Sequence, residues 1–343
     1  MKPREVDPWS GHQRCQAPHE LHGTEYHMGG AIIVRRLQGD DDVAIVGQGQ
    51  SSLGDGWPRD VTAQTLKLLA LMRLAGRKRV ATQRVCGRTL PSQPPYPPHH
   101  NPYGSVAKAE KSGEGYSVTG SKKFVLDGHV ADKLVVVART SGNAGDRDGL
   151  TLVLVDRNAD GVSVTRTVMA DSRNAANIEF NGSTGQLIGE EGKGADVLDR
   201  VLDAGRILLA AEMLGGIQEC FERTIEYLKT REQFGVPIGS FQALKHRAAQ
   251  MFCEIELSKS AVLEALSALD EDSDQVAELA SLAKARLNDT YNLVSREGIQ
   301  MHGGIGMTDE YEIGFFMKRS RVCEHALGNS AFHRDRYGVI QGY

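Results

Sequence analysis

From residue 196 to about 327, apolar residues recur every three to four positions, the spacing that gathers side chains on one face of an α-helix. Leu209, Met213, Gly216, Ile217, Cys220, Phe221, Ile225 and Leu228 make one stripe, with Glu222, Arg223 and Lys229 off it. A second helix is predicted over 241–269, with Leu244, Met251, Ile255, Val262 and Leu266 on its apolar side. A third is predicted over 273–302 and carries Val276, Leu279, Leu282, Ala283, Leu287, Tyr291 and Val294. The acid-rich turn at 270–274 joins these two and is expected to cap the third. A shorter helix over 311–327 completes the set. Helices of this kind, joined by tight turns, bury their stripes against one another as an antiparallel four-helix bundle over 191–343.

Upstream the period falls to two. Residues 116–120, 122–126, 133–138, 150–155, 162–168 and 177–180 are short β-branched or alternating runs with turn residues between them and no helical stretch. They predict an antiparallel sheet or small barrel over 105–190. The link Gly189-Glu190-Glu191-Gly192-Lys193-Gly194 places two carboxylates beside the lysine and has no Ser or Thr after it. It reads as a turn, not a phosphate loop. Residues 1–104 hold no sustained pattern. A strand fits 31–34 and a helix fits 61–74. Pro91, Pro94, Pro95, Pro97, Pro98 and Pro102 make a linker. The fold class is therefore α+β: a central antiparallel β-domain, then a C-terminal four-helix bundle, after a degenerate or weakly structured N-terminal region.

Composition removes several alternatives. A net charge of -4 with no basic stripe argues against nucleic acid. Cys15, Cys86, Cys220, Cys253 and Cys323 are scattered, which suits neither a zinc site nor a disulfide framework and fits a reducing compartment. No apolar run is long enough for membrane insertion, and the first residues lack the apolar core of a secretory signal. Cytoplasm is the expected location, and no metal is expected.

Two segments interrupt the helical pattern. Arg231-Glu232-Gln233-Phe234-Gly235 ends the first helix, followed by Phe241-Gln242. Gln300-Met301-His302-Gly303-Gly304-Ile305-Gly306 ends the third. An arginine at a helix C-terminus complements the dipole, and glycines terminate helices. The same residues also suit a pyrophosphate, a flat ring and a ligand approaching bare backbone.

In combination and order, a β-domain followed by R-E-Q-F-G, F-Q and Q-x-x-G-G-x-G-M-T-x-E-Y resembles the acyl-CoA dehydrogenases, FAD-dependent flavoenzymes; the resemblance covers about residues 105–336. It implies FAD as cofactor and an acyl-CoA as substrate. Further partners it implies are an electron-transfer acceptor such as an electron-transfer flavoprotein, and a dimer or tetramer of like or unlike chains. By position it implies that Arg231 and Phe234 touch FAD bound mainly by a neighbouring subunit, with Gln242 near the same cofactor. Gln300, Gly303 and Gly304 would meet its adenosine-pyrophosphate part, and Phe124, Val125 and Leu126 would lie alongside the flavin ring.

The family also needs a carboxylate to take the α-proton of the thioester. Where most members carry that Glu, this chain has Leu327; where a minority carry it, just before an arginine, Gly205 precedes Arg206. Asp203 and Glu324 are the substitute bases nearest these positions, and His325 adjoins the second. The family's flavin-wrapping loop and its helical N-terminal domain are not recognisable in residues 1–104. The resemblance therefore implies α,β-desaturation of an acyl-CoA. As alternatives it allows a non-catalytic subunit completing the FAD sites of a Glu-bearing partner, or a decayed homologue without flavin.

Overall fold

The computed structural model describes residues 100–343 throughout. Upstream it describes only the strand segments β1 (Ile33–Arg36), β2 (Val43–Val46) and β3 (Val80–Thr82). The chain divides into two units, Met1–Leu53 and Gly54–Tyr343. In the first, β1 and β2 pair antiparallel, with Ile33 opposite Val46; β1 overlaps the strand expected over 31–34. The expected helix over 61–74 and most of the proline-rich linker lie outside the described residues.

In the second unit, strands β4 (Lys108–Ser112), β5 (Gly115–Leu126), β6 (Lys133–Arg139), β7 (Leu150–Asp156) and β9 (Asn174–Ile188) pair in the order β6-β4-β5-β9-β7, and β7 returns to β6. That closure makes a small barrel. β3 joins β6 in parallel, and β8 (Val162–Val168) joins β9. The two runs read as separate strands at 116–120 and 122–126 are one strand, β5, bent by two register shifts against β9. At the first bend a Cβ on Gly120 would lie 2.8 Å from the Ala107 backbone, and φ there is +139°, so only glycine fits. Val118, Leu134, Val136, Val153, Val155 and Ile178 alternate inward and fill the barrel.

The bundle consists of α1 (Gly194–Thr230), α2 (Gln242–Asp270), α3 (Val276–His302) and α4 (Ile313–His325). Met213, Ile217, Cys220, Met251, Ile255, Leu287, Tyr291 and Val294 form its core, as the stripes require. α1 and α3 lie very close. A Cβ on Gly216 would meet Tyr291 Oη at 2.5 Å, and one on Gly298 would meet Cys220 Sγ at 3.1 Å. These contacts, with Tyr227 stacked on His302 at 4.2 Å, advance along both helices together, so α1 and α3 run parallel. Two details differ from expectation. α3 starts after the acid-rich turn, at Val276; its N-cap position is Gln275 and no side chain caps it, because Ser273 Oγ is engaged with the Gln275 N–H inside the turn. A further helix, α5 (Ser330–Ile340), capped by Asn329, packs on α3.

Two clusters of charge fasten barrel to bundle. Tyr103 and Arg147 reach Asp199 and Asp196 near the start of α1. On another side, Arg319 of α4 pairs with Asp171 of the β8–β9 connection at 2.7 Å and with Glu212 of α1 at 2.6 Å. Apolar packing of Val137, Leu150 and Leu152 against Ala195, Leu198 and Leu202 completes the join. No described helix is long and apolar enough to cross a membrane.

Candidate active site

α1 stops at Thr230 because the next residues turn back on themselves. Glu232–Gln233 pairs with Val236–Pro237 in a hairpin whose two central residues, Phe234 and Gly235, have φ of +56° and +78°. Left-handed backbone at both positions is the tight-hairpin geometry that Asn-Gly usually supplies. A phenylalanine there costs about 1–2 kcal/mol. The ring gains no core contact in exchange: Phe234 is 91% exposed, resting only edge-on against Phe241 at 6.0 Å. Arg231 at its base is exposed and pairs with no carboxylate among the described residues. Gln242 is exposed at the first turn of α2.

At the end of α3, Gly303 adopts φ +63° and the chain turns into a short 3-10 segment, Gly303–Met307. Nothing lies within 4 Å of a Cβ built on Gly303 or Gly304. Gln300 is exposed one turn earlier. His302 is buried between Tyr227 and Tyr311, with Nδ1 2.6 Å from Gly298 O. Burial pushes its pKa below the usual imidazole range. Open glycine backbone, an exposed glutamine and an unpaired arginine therefore share one end of the bundle.

On the barrel, Val125 points inward while Phe124 and Leu126 are 45% and 40% exposed. Phe124 sits at the second bend of β5 with φ +54°, and its N–H reaches Asn177 Oδ1 at 3.3 Å. The bend turns Phe124 and Leu126 outward, although unbroken alternation from Tyr116, Val118 and Lys122 would have pointed both inward.

The two base positions meet. A Cβ on Gly205 would lie 3.2 Å from Leu327 Cδ1, so residues separated by more than a hundred positions face the same point. Leu327 has φ +60°, again left-handed backbone at a residue with no liking for it. Four donors hold it there. Its carbonyl accepts from Arg206 Nε at 3.2 Å and faces His333 Nε2 at 3.1 Å. The Gly328 carbonyl accepts from Lys284 Nζ at 3.1 Å and Asn288 Nδ2 at 3.4 Å. Lys284, Arg206 and His333 are buried, and burial first, then the nearby cations, drives the His333 pKa down to about 2. A neutral imidazole facing a carbonyl puts its proton on Nε2. The loop is thus over-determined, the condition under which strained backbone persists.

Neither substitute base is unencumbered. Asp203 is buried with Oδ1 2.7 Å from Arg206 Nη1 and Oδ2 2.8 Å from Arg336 Nη2, so both oxygens are engaged by guanidinium groups. Glu324 lies 2.6 Å from Arg321, one turn back on its own helix. His100, which sequence reasoning passed over as part of a linker, belongs to this cluster. Its Nε2 is 3.3 Å from Arg206 Nη2 and its ring meets Phe332 edge-on at 4.7 Å. No spacing or periodicity marks it; only the fold brings it to Arg206.

Residues 102–182 match the acyl-CoA dehydrogenase middle domain and residues 192–338 the acyl-CoA dehydrogenase C-terminal domain. The chain is 30% identical over 226 residues to the short/branched chain specific acyl-CoA dehydrogenase of Bos taurus, covering 64% of this chain and 52% of that one. It is 31% identical over 240 residues to isovaleryl-CoA dehydrogenase of Arabidopsis thaliana, covering 67% and 58%. The solved acyl-CoA dehydrogenase of Geobacillus kaustophilus superposes with a TM-score of 0.71 at 26% identity, over 82% of this chain and 73% of that one. The match spans a little over half the length of these curated relatives. With both domains matched in order, and barrel and bundle arranged as in a solved member, this chain belongs to the acyl-CoA dehydrogenase family.

Proposed function

We propose that the chain is an FAD-binding flavoprotein that α,β-desaturates an acyl-CoA thioester and passes electrons to an acceptor such as an electron-transfer flavoprotein. One observation carries the flavin reading. Phe124 and Phe234 are both turned out of the core on left-handed backbone, and Gly303 and Gly304 offer backbone with nothing over it. These residues fit FAD: Phe124 and Leu126 beside the ring system, and Arg231, Phe234, Gln242, Gln300, Gly303 and Gly304 about the phosphates and adenosine. The base positions and the Arg231 end do not serve one site within one chain. Gly205 and Arg231 are 26 positions apart on and just beyond α1, about 40 Å at 1.5 Å per residue. That span supports an oligomer in which the Arg231 end of one subunit completes the site of another.

When bound, FAD supplies the hydride acceptor. The chain's own residues do the rest. The barrel face at Phe124–Leu126 presents an apolar wall. The apolar cluster to which Leu327 belongs keeps water from the thioester's α-carbon. The Arg206–Asp203–Arg336 cluster fixes the loop on which residue 327 stands. The scattered free cysteines Cys220, Cys253 and Cys323 accord with a cytoplasmic protein.

A second reading is favoured by Leu327 itself, which places a hydrocarbon where the family places a carboxylate. A chain so built would complete the FAD sites of a Glu-bearing partner without turning over thioester at its own. Purification with flavin retained, followed by anaerobic addition of mixed acyl-CoAs, separates the two. Bleaching of the flavin band supports the dehydrogenase, and an unchanged band supports the subunit. The variant Leu327→Glu should bleach in either case, since the loop carbonyls that aim position 327 do not depend on its side chain. A Leu327→Glu protein that retains flavin and is reduced by no acyl-CoA would refute the intact-pocket premise.

A further inference from the structure

We propose that the cleft between α3 and α4 is a binding site for a phosphate monoester. A cavity of about 260 Å³ opens there, lined by Asn292, Ser295 and Arg296 from one turn of α3 and by Met317 and Arg321 from one turn of α4. Pockets that enclose a whole drug-sized ligand run to roughly 300–1,000 Å³, so this one suits a single group of a larger molecule. None of its five lining residues is used by the flavin and thioester reading above.

The lining is rich in donors. The two guanidinium groups donate only, and the Asn292 amide adds two N–H groups. Ser295 is buried and its hydroxyl donates to Tyr291 O at 2.7 Å, so that proton is committed to the helix. Arg296 pairs with no carboxylate among the described residues; its Nη1 reaches Asn292 Oδ1 at 3.5 Å, a long contact. The carboxylates flanking the cleft on the two helices, Asp289, Glu297 and Glu324, are paired with Arg334, Arg247 and Arg321. Arg296 therefore leaves the cleft with net positive charge. The Arg321–Glu324 pair is 54% and 23% exposed at the side chains, and an ion pair that open to water is readily exchanged for a stronger one. A phosphate monoester carries about −1.5 to −2 charge near neutral pH and three acceptor oxygens, enough to bridge both guanidinium groups. A carboxylate brings one charge and two oxygens.

Gln300 stands four residues beyond Arg296 on the same face of α3 and belongs to the proposed flavin site. Binding is therefore measured on the full chain in excess FAD, by titration calorimetry with inorganic phosphate as the probe and acetate as the control at equal ionic strength. The wild type should bind phosphate saturably and more tightly than acetate, with affinity falling as salt is added. Arg296→Gln and Arg321→Gln should each weaken phosphate binding about tenfold. Both side chains are exposed, so neither change should move the melting temperature appreciably. Glu324→Gln should strengthen binding, because it frees Arg321 and removes a like charge. No saturable binding up to about 10 mM phosphate overturns the proposal. So does phosphate affinity unchanged in both arginine variants, or acetate held as tightly as phosphate. CoA and dephospho-CoA, compared in the same way, separate two sources of the group. Tighter binding of CoA that is lost in Arg296→Gln assigns the cleft to the 3′-phosphate of CoA. Equal binding of the two, with inorganic phosphate still held by the arginines, assigns it to a free phosphorylated metabolite.

Discussion

Lys122 is the most exacting place to test the electrostatics of this fold. It is 2% exposed inside the barrel, and its Nζ lies 2.7 Å from Ser105 Oγ and 2.7 Å from Val137 O. Burial lowers its pKa from 10.5 to about 7. The unfolded chain keeps the proton up to about pH 10.5, whereas the folded one releases it above about 7. Between those values the unfolded state binds about one more proton, so stability rises with pH at about 1.4 kcal/mol per unit; below about pH 7 the penalty is constant. Across the window it amounts to about 5 kcal/mol at 1.36 kcal/mol per unit.

Lys122→Met keeps the length of the side chain and removes the charge. Two hydrogen bonds go with it, roughly 1 kcal/mol each, but Ser105 Oγ still donates to Val137 O at 2.7 Å, so neither partner is orphaned. The variant should be more stable than the wild type by about 3 kcal/mol near pH 7. The advantage should shrink steadily and reverse near about pH 9. Urea unfolding followed by circular dichroism from about pH 6 to about pH 10, both proteins in parallel, measures this difference directly. A difference that does not change with pH would show that Lys122 stays protonated in the folded barrel and would refute the reasoning.

Two further substitutions test packing and presentation. Gly216→Ala puts a methyl 2.5 Å from Tyr291 Oη and 3.0 Å from Cζ, and Tyr291 is 2% exposed with nowhere to go. Overpacking of about 1–3 kcal/mol should outweigh the helix-propensity gain of about 1 kcal/mol, and a melting temperature equal to or above the wild type would contradict it. Phe234→Ser removes a ring that is 91% exposed, so stability of the subunit should move by less than about 0.5 kcal/mol. Flavin affinity should fall about tenfold through the lost ring contact, and flavin retention equal to the wild type would remove Phe234 from the site.

The helical bundle is legible in the sequence because burial on one face of a long helix leaves a 3.6-residue stripe. Met213, Ile217, Leu228, Met251, Ile255 and Leu287 all fell on predicted stripes and all are core. The barrel is legible as strands but not as a closed surface. Closure depends on β6 pairing with both β4 and β7, and pairing partners leave no period behind. β4 escaped because only Ala109 of its five residues is buried. α5 escaped because just one of its residues, His333, is buried, giving no stripe to read. For the site, the family resemblance implied which residues stand at the flavin-contact and base positions. It did not show that Gly205 faces Leu327, or that His100 reaches Arg206, since both contacts join distant stretches across the fold.

Strain tells a parallel story. Among the described residues six non-glycines have positive φ, and three of them, Phe124, Phe234 and Leu327, stand at positions singled out by motif. The other three, Asp127, Ser172 and Asp272, are short polar residues in turns, where left-handed backbone costs little. Two phenylalanines and a leucine gain nothing comparable from their own backbone. Phe124 and Phe234 are turned outward by that conformation, and Leu327 is held by donors from α1, α3 and α5. A fold that had lost its ligand would be free to relax such positions, for any residue with a preference for right-handed backbone would lower the energy by about 1–2 kcal/mol each if the hairpin, bend and loop were free to follow. Four buried donors from α1, α3 and α5 converge on the loop carbonyls and none acts through the side chain of residue 327, so the loop keeps its shape with a hydrocarbon at that position.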